Sequence, residues 1–117
     1  MIFPPHDVME KHLTILQFIE QISPLVDSLA CSFIDHWDAD LCAIGLTDGC
    51  HLIYVNTCRH LEIHPVRYDY DIEVITEPET GIGKVIREGE GVSLEDLKME
   101  IRNRFGPGPA TGCQTAP

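Results

Sequence analysis

Four side chains of the kinds that bind zinc lie close together in the chain: His51, Cys58, His60 and His64. Structural zinc sites usually combine one closely spaced ligand pair, such as Cys-x-x-Cys, with a second pair farther along the chain. Cys58-x-His60 followed by His64 does not have that arrangement. The spacing therefore favours a chance grouping on a strand and a loop, and we expect neither a metal nor a cofactor.

Thiol catalysis would need a cysteine activated by a nearby histidine. The candidates are Cys31, Cys42, Cys50 and Cys58, and none lies in a familiar signature or at a recognisable helix N-terminus. Cys42 and Cys50 are better interpreted as small apolar strand residues. We expect no catalytic residue, and hence a protein that is not an enzyme.

The segment Gly81-Ile82-Gly83-Lys84 shares glycines and a lysine with phosphate-binding loops. Such a loop requires Gly-x4-Gly-Lys followed by Ser or Thr after a buried strand. Here Val85 follows the lysine and the glycine spacing is too short. Turn glycines explain the segment better.

Residues 66–76 alternate between apolar and charged side chains, which indicates a β-strand with two different faces. The apolar positions are Val66, Tyr68, Tyr70, Ile72 and Val74, and the charged ones are Arg67, Asp69, Asp71 and Glu73. We expect the tyrosines to face the core and the carboxylates to face outward. Asp69 and Asp71 could also be an acid/base pair or a cation site, but two carboxylates on one strand face better fit contact with a basic partner.

The remaining elements should position this strand. Asp7 with Glu10 predicts the start of a first helix, which Ser23-Pro24 should end or kink before a second helix that runs through Phe33 towards Trp37. Two apolar runs flank Asp48-Gly49 and predict a hairpin with a type I′ turn. Residues 58–65 have no clear assignment, and residues 77–83 are predicted to be a loop. Ser93 should cap a last helix with an apolar seam of Leu94, Leu97, Ile101 and Phe105.

This order predicts an α+β fold, a small antiparallel meander sheet of about three to four strands packed by N-terminal helices and a C-terminal helix. Residues 1–106 should form one domain, and residues 107–117 a flexible Gly/Pro-containing tail.

The chain of 117 residues carries 19 acidic and 8 basic side chains, a formal net charge of −11. Such a charge repels nucleic acid and anionic membranes and attracts basic proteins. The odd number of cysteines, five, and the lack of a secretory leader or a long apolar run indicate a cytoplasmic protein.

The segment Gly89-Glu90-Gly91-Val92-Ser93-Leu94-Glu95-Asp96-Leu97 reads as a Gly-acid turn followed by a serine-capped closing helix. Together with the acidic, tyrosine-bearing strand, it resembles the immunity proteins of bacterial polymorphic-toxin and contact-dependent growth-inhibition systems over residues 41–105. The resemblance implies a small protein without an active site that binds one toxin domain and covers its active site. Such toxin domains are often basic nucleases.

The leading hypothesis is therefore an immunity protein that is a monomer or weak dimer when free and binds neither nucleic acid nor membrane. Its expected contact residues are Asp69, Asp71 and Glu73, with Asp38, Asp40, Glu77, Glu79 and Trp37 around them. Two alternatives stay open: a secretion-type chaperone or adaptor acting as a homodimer, and a metal-binding enzyme or sensor that uses the histidine and cysteine group at 51–64.

Overall fold

The computed structural model describes residues 11–34, 40–77, 79–80 and 82–106. In this part of the chain the elements are α1 (Leu13–Ser28), β1 (Ser32–Ile34), β2 (Ala43–Thr47), β3 (His51–Asn56), β4 (Tyr68–Glu77), β5 (Ile82–Val92) and α2 (Leu94–Arg104). The strands form one antiparallel meander in the order β1-β2-β3-β4-β5. The predicted α+β meander is confirmed, with one strand more than expected.

Helix α1 continues through Pro24, so the prediction of two helices separated at Ser23-Pro24 is wrong. The Ser23 hydroxyl donates to the Ile19 carbonyl at 2.6 Å instead of capping a new helix. Buried apolar residues lie on both sides of the proline (Ile15, Phe18, Ile19, Ile22, Val26), and their packing on the sheet keeps the helix continuous. The described helix begins after His12, whose Nδ1 accepts from the Thr14 amide at 3.1 Å, and the predicted start at Asp7 with Glu10 lies outside the described residues.

The helix predicted through Phe33 is also wrong, because this segment is strand β1. Phe33 pairs with Leu46 of β2 and packs against the core. A run of only a few apolar residues does not distinguish a short strand from a helix end. Here the segment forms a strand because it pairs with the otherwise unpaired edge of β2. Trp37 lies outside the described residues.

The β2–β3 hairpin is confirmed, but its turn is not type I′, which needs positive φ at two residues. Gly49 has φ of +92°, and in the described part of the chain no residue other than glycine has a positive φ. The carboxylate of Asp48 holds the turn instead, because its Oδ1 accepts from the amides of Cys50 and His51, both at 2.8 Å. Cys42 and Cys50 lie just before strands rather than within them.

Strand β5 was not expected, since residues 77–83 were predicted to be a loop and Gly89–Val92 a turn. β5 is eleven residues long and pairs with β4 through three register irregularities. Glycines and bulges interrupt its side-chain alternation, which removes the period-two signal on which strand prediction depends. Residues 58–65 contain a short 3₁₀ helix (Cys58–His60) and turns, and no strand.

Both helices pack on one face of the sheet. Tyr68, Tyr70 and Ile72 of β4 are buried there, as the alternation predicts, and the ring of Phe18 in α1 lies 5.3 Å from that of Tyr68. Helix α2 contributes a buried seam that ends at Phe105. Ser93 caps this helix as predicted, its hydroxyl accepting from the Asp96 amide at 3.1 Å.

Gly89 is a packing requirement of β5. A Cβ atom at this position would overlap Cε1 of Tyr70, the residue that pairs with it across the sheet. We expect Gly89→Ala to lower the free energy of unfolding by about 1–3 kcal/mol, because the buried tyrosine has to move. Urea denaturation measures this, with Gly106→Ala as the control, since a Cβ there meets no atom within 4 Å. Equal stabilities for the two variants would contradict the packing.

Candidate partner-binding surface

The sheet face opposite the helices carries three neighbouring carboxylates, those of Asp71, Glu73 and Glu88, which we call the acidic face. Asp71 lies between Tyr54 of β3 and Glu88 of β5 in the strand register, and Glu73 lies two residues farther along β4. Because Tyr70 and Ile72 point into the core, strand geometry places Asp71 and Glu73 on the other side. The expected outward orientation of these carboxylates is confirmed.

Asp71 is the most strongly perturbed carboxyl of this face. Partial burial, followed by the charge and hydrogen bond of Glu73 and the charge of Glu88, raises the pKa of Asp71 from 3.8 to about 6. One of its oxygens, Oδ1, is buried without a hydrogen-bond partner. Negative charge is therefore concentrated at a site where a positive group would be stabilised.

A shallow cavity of about 170 Å³ opens beside Asp71, between β4 and β5. Tyr54, Asp71, Glu88 and Glu90 contribute to its lining. A cavity of this volume admits one side chain, and its walls favour a lysine or arginine head group.

Asp69 has a different role from its neighbours. Its Oδ1 lies 2.7 Å from Nε2 of His60 and accepts from the Gly91 amide at 2.9 Å, and Arg59 Nη1 lies 3.9 Å from its other oxygen. Burial by itself would raise the pKa of Asp69, but the hydrogen bonds from His60 and Gly91 and the charges of His60 and Arg59 outweigh burial, and the pKa is lowered. Asp69 thus joins the 58–60 segment to the end of β5 and has little capacity left for a partner.

Asp40 positions the neighbouring aromatic residue. Its Oδ1 accepts from the Cys42 amide at 3.0 Å, and its Oδ2 accepts from Asn56 Nδ2 at 3.2 Å and from the Tyr54 hydroxyl at 3.3 Å. Asn56 also donates to the Tyr54 hydroxyl at 2.7 Å. These contacts hold the Tyr54 ring at the border of the acidic face.

The other expected contact residues are not gathered at this site. Glu77 and Glu79 are exposed near the β4–β5 connection, and Glu77 is roughly 25 Å from Asp69 along the strand. Trp37 and Asp38 lie outside the described residues. Glu88 and Glu90 were missed, because their two-residue spacing carries meaning only once residues 82–92 are recognised as a strand.

The histidine and cysteine group does not come together in the structure. His51 begins β3, whereas Cys58 and His60 follow the other end of that strand. His60 is engaged by Asp69, and His64 is in an exposed loop. Among the described residues no three His, Cys, Asp or Glu side chains are grouped closely enough to hold a metal ion.

The cysteines differ in their state. Cys31, Cys42 and Cys58 are free thiols, and Cys50 is disulfide-bonded. Burial, with a smaller contribution from the charge of Asp48, raises the pKa of Cys31 to about 11, which makes this thiol a poor nucleophile.

Comparison with known proteins adds no relative. No protein-family model matches the chain, and neither curated proteins nor solved structures show significant similarity to it. Within the described residues, no helix combines the length and apolarity that crossing a bilayer requires.

Removing the Asp69 carboxylate should destabilise the fold. Asp69→Ala leaves the partly buried Gly91 amide and His60 ring without their acceptor, and we expect a loss of about 1–3 kcal/mol in the free energy of unfolding near neutral pH. Because the folded-state pKa of Asp69 is lowered, its contribution is present above the unfolded pKa of 3.8 and is lost as the pH falls through the folded value. Urea denaturation across this pH range measures both effects.

Glu90→Ala, at an exposed carboxylate, is the control and should change the free energy of unfolding by less than about 0.5 kcal/mol. A similar loss in both variants would contradict this role of Asp69.

Asp71 should show the opposite pH dependence. Its pKa of about 6 exceeds the unfolded value of 3.8, so the folded state binds more protons between these values and its stability falls as the pH rises through them. We expect Asp71→Asn to stabilise the protein near neutral pH by about 1 kcal/mol, allowing for screening by solvent, and to have little effect at about pH 4. Urea denaturation at both pH values, with exposed Glu77→Gln as the control, measures the difference. A gain of the same size at both pH values would be evidence against repulsion at Asp71.

Proposed function

We propose that this protein is a cytoplasmic immunity protein that neutralises a basic, nuclease-type toxin domain by binding it on the acidic face. The observation that carries the proposal is Asp71, whose Oδ1 has no hydrogen-bond partner and whose pKa is raised by burial and by the adjacent Glu73 and Glu88. A surface whose carboxylates repel one another gains more binding free energy from a cationic partner than a surface whose charges are already neutralised.

Binding of a lysine or arginine would reverse the perturbation of Asp71. An opposite charge within about 4–6 Å favours the ionised carboxylate, so the pKa of Asp71 falls when the partner binds and a proton is released. The free energy of repulsion among Asp71, Glu73 and Glu88 would be recovered in the complex. The net charge of −11 adds long-range attraction and accelerates encounter with a basic domain.

Within this proposal, the set of contact residues differs from the one expected from the sequence. Asp71, Glu73 and Glu88 form the centre, and Tyr54 supplies an aromatic ring held by Asp40 and Asn56. Asp69 is better assigned to positioning the 58–60 segment. Glu77 and Glu79 could reach only the periphery of a partner that is centred on Asp71.

The proposed location is the cytoplasm, where a nuclease toxin acts. The disulfide at Cys50 counts against a reducing compartment, since disulfides persist mainly in oxidising ones. Mass spectrometry of protein from cells lysed in the presence of a thiol-blocking reagent would show whether Cys50 is oxidised in the cell.

Charge reversal on the acidic face tests the function. The proposal predicts a large secreted protein encoded next to this chain, and the probe is the C-terminal domain of that protein, expressed with the chain in the same cells. We expect the wild-type chain to restore growth, and Asp71→Lys with Glu88→Lys to bind the purified domain on the order of 100-fold more weakly in calorimetry at low salt. Wild-type affinity should also decrease as the pH falls below about 6.

The matched control has the same change in charge on the other side of the molecule. Glu20→Lys with Asp27→Lys alters exposed positions of α1, which covers the opposite face of the sheet. This variant should bind and protect like the wild type, apart from a modest decrease in association rate. Equal affinities for the two double variants would remove the acidic face from the proposal, and failure of the wild type to protect would remove the immunity function.

One observation favours the chaperone or adaptor as the second candidate. In the described part of the chain β5 is an edge strand, and its exposed residues include Ile82, Val85 and Ile86. An unpaired edge with apolar side chains is a template for strand addition or dimer formation, although the register irregularities of β5 oppose regular pairing. Light scattering decides between the candidates, because a stable dimer favours the chaperone and a monomer favours the immunity protein.

A further inference from the structure

Two free cysteines lie at the open end of the β2–β3 hairpin. Cys42 directly precedes β2, and Cys58 follows β3 as the first residue of the 3₁₀ helix. The two strands are antiparallel, with Ala43 opposite Asn56, and the Thr57 amide donates to the Cys42 carbonyl at 3.0 Å. The register therefore places Cys42 opposite Thr57, and Cys58, which is sixteen positions from Cys42 in the sequence, is the next residue.

The two thiols are close enough that Cys58 raises the pKa of Cys42. Neither is in a disulfide, and Cys58 is exposed to solvent whereas Cys42 is half-buried. Cys42 faces Thr57, and Cys58 is the next residue, where the chain leaves the strand and enters the 3₁₀ helix. Cα atoms of facing strand residues lie about 5 Å apart, which leaves Cys58 near the upper end of the Cα separations of about 4.4–6.8 Å that disulfides span, so closure needs rotation of both side chains.

We propose that Cys42 and Cys58 form a redox-active dithiol, a modification site that is converted reversibly to an intramolecular disulfide by a low-molecular-weight disulfide such as oxidised glutathione. This proposal is independent of the function assigned to the acidic face.

The reaction balances as two successive exchanges. The Cys58 thiolate attacks one sulfur of glutathione disulfide, the bond between the two glutathione sulfurs breaks, and one glutathione thiolate leaves. The Cys42 thiolate then attacks Sγ of Cys58, and the second glutathione leaves as the mixed disulfide breaks. Two cysteine protons pass to solvent or to the departing thiolates, so the protein loses two hydrogens and one glutathione disulfide is reduced to two thiols.

The environments of the two thiols set this order. Burial, followed by the nearby Cys58 and the charge of Asp40, raises the pKa of Cys42, so this sulfur is a weak nucleophile towards reagents in solution. Cys58 is exposed and meets the oxidant first. The proximity of the two residues then supplies Cys42 at high effective concentration for the second step.

The disulfide would be connected to Asp69 through the short 3₁₀ helix. Cys58 starts the short helix that carries Arg59 and His60, and both residues contact Asp69. Oxidation would therefore fix one end of the segment that Asp69 holds to β5.

The test is oxidation of the native protein by glutathione disulfide, followed by proteolysis without reduction and mass spectrometry. We expect a peptide linked between Cys42 and Cys58, a protein mass lower by two hydrogens, and full reversal by excess reduced thiol. Because the folded register keeps the two residues close together, closure should be at least about tenfold faster in the native state than in concentrated urea.

Single substitutions separate the two roles. Cys42→Ser should retain glutathione on Cys58, Cys58→Ser should leave Cys42 largely unmodified, and Cys31→Ser, the matched control, should form the link as the wild type does. Circular dichroism checks the fold of each variant. Wild-type protein that keeps glutathione on Cys58 without closure, that does not react, or that closes equally fast in urea would overturn the proposal, and none of these outcomes bears on toxin neutralisation.

Discussion

Burial of Tyr68, Tyr70 and Ile72 beneath the two helices is the constraint on which the rest of the structure depends. Successive residues of a strand point to opposite faces, so sending these three side chains into the core sends Asp69, Asp71 and Glu73 to the other face. The hydrophobic effect on one side of β4 thus determines where the charge lies on the other. The carboxylates cannot turn towards water elsewhere without withdrawing the core residues between them.

The consequences differ from one carboxylate to the next because their neighbours differ. Asp69 lies at the end of the strand where the 58–60 segment and Gly91 provide donors, so its negative charge is compensated and its pKa is lowered. Asp71 lies between Tyr54 and Glu88 and beside Glu73, where burial and like charges raise its pKa. Two carboxylates on the same strand face thus differ: Asp69 is a structural acceptor, and Asp71 is a carboxyl with a raised pKa beside like charges. The difference supports a binding function centred on Asp71 rather than one shared equally along the strand.

Local residue patterns predicted secondary structure correctly where they agreed with the tertiary packing, and they failed where packing or strand pairing opposed them. The serine cap of α2, the hairpin around Gly49 and the alternation of β4 each followed from residue types over a few positions. At Pro24 the local signal for a helix end competed with an apolar stripe that continued past it, and packing prevailed. In β5 the glycines signalled turns, whereas pairing with β4 imposed a strand, with Gly89 needed to accommodate Tyr70.

By itself, the sequence determined the α+β class, the burial of the β4 tyrosines and the acidity of the opposite face, because these depend on side-chain periodicity and charge within single segments. Only the tertiary structure decided which acids lie next to one another. Glu88 lies beside Asp71 because β5 pairs with β4, although the glycines of β5 obscure its strand pattern in the sequence. Asp69 contacts His60 and Gly91 instead of remaining available to a partner. Glu77 and Glu79 lie far from Asp71. The tertiary structure likewise placed Cys42 opposite Thr57, the residue that precedes Cys58. These relations depend on strand register and on partners distant in sequence, which local residue patterns do not specify.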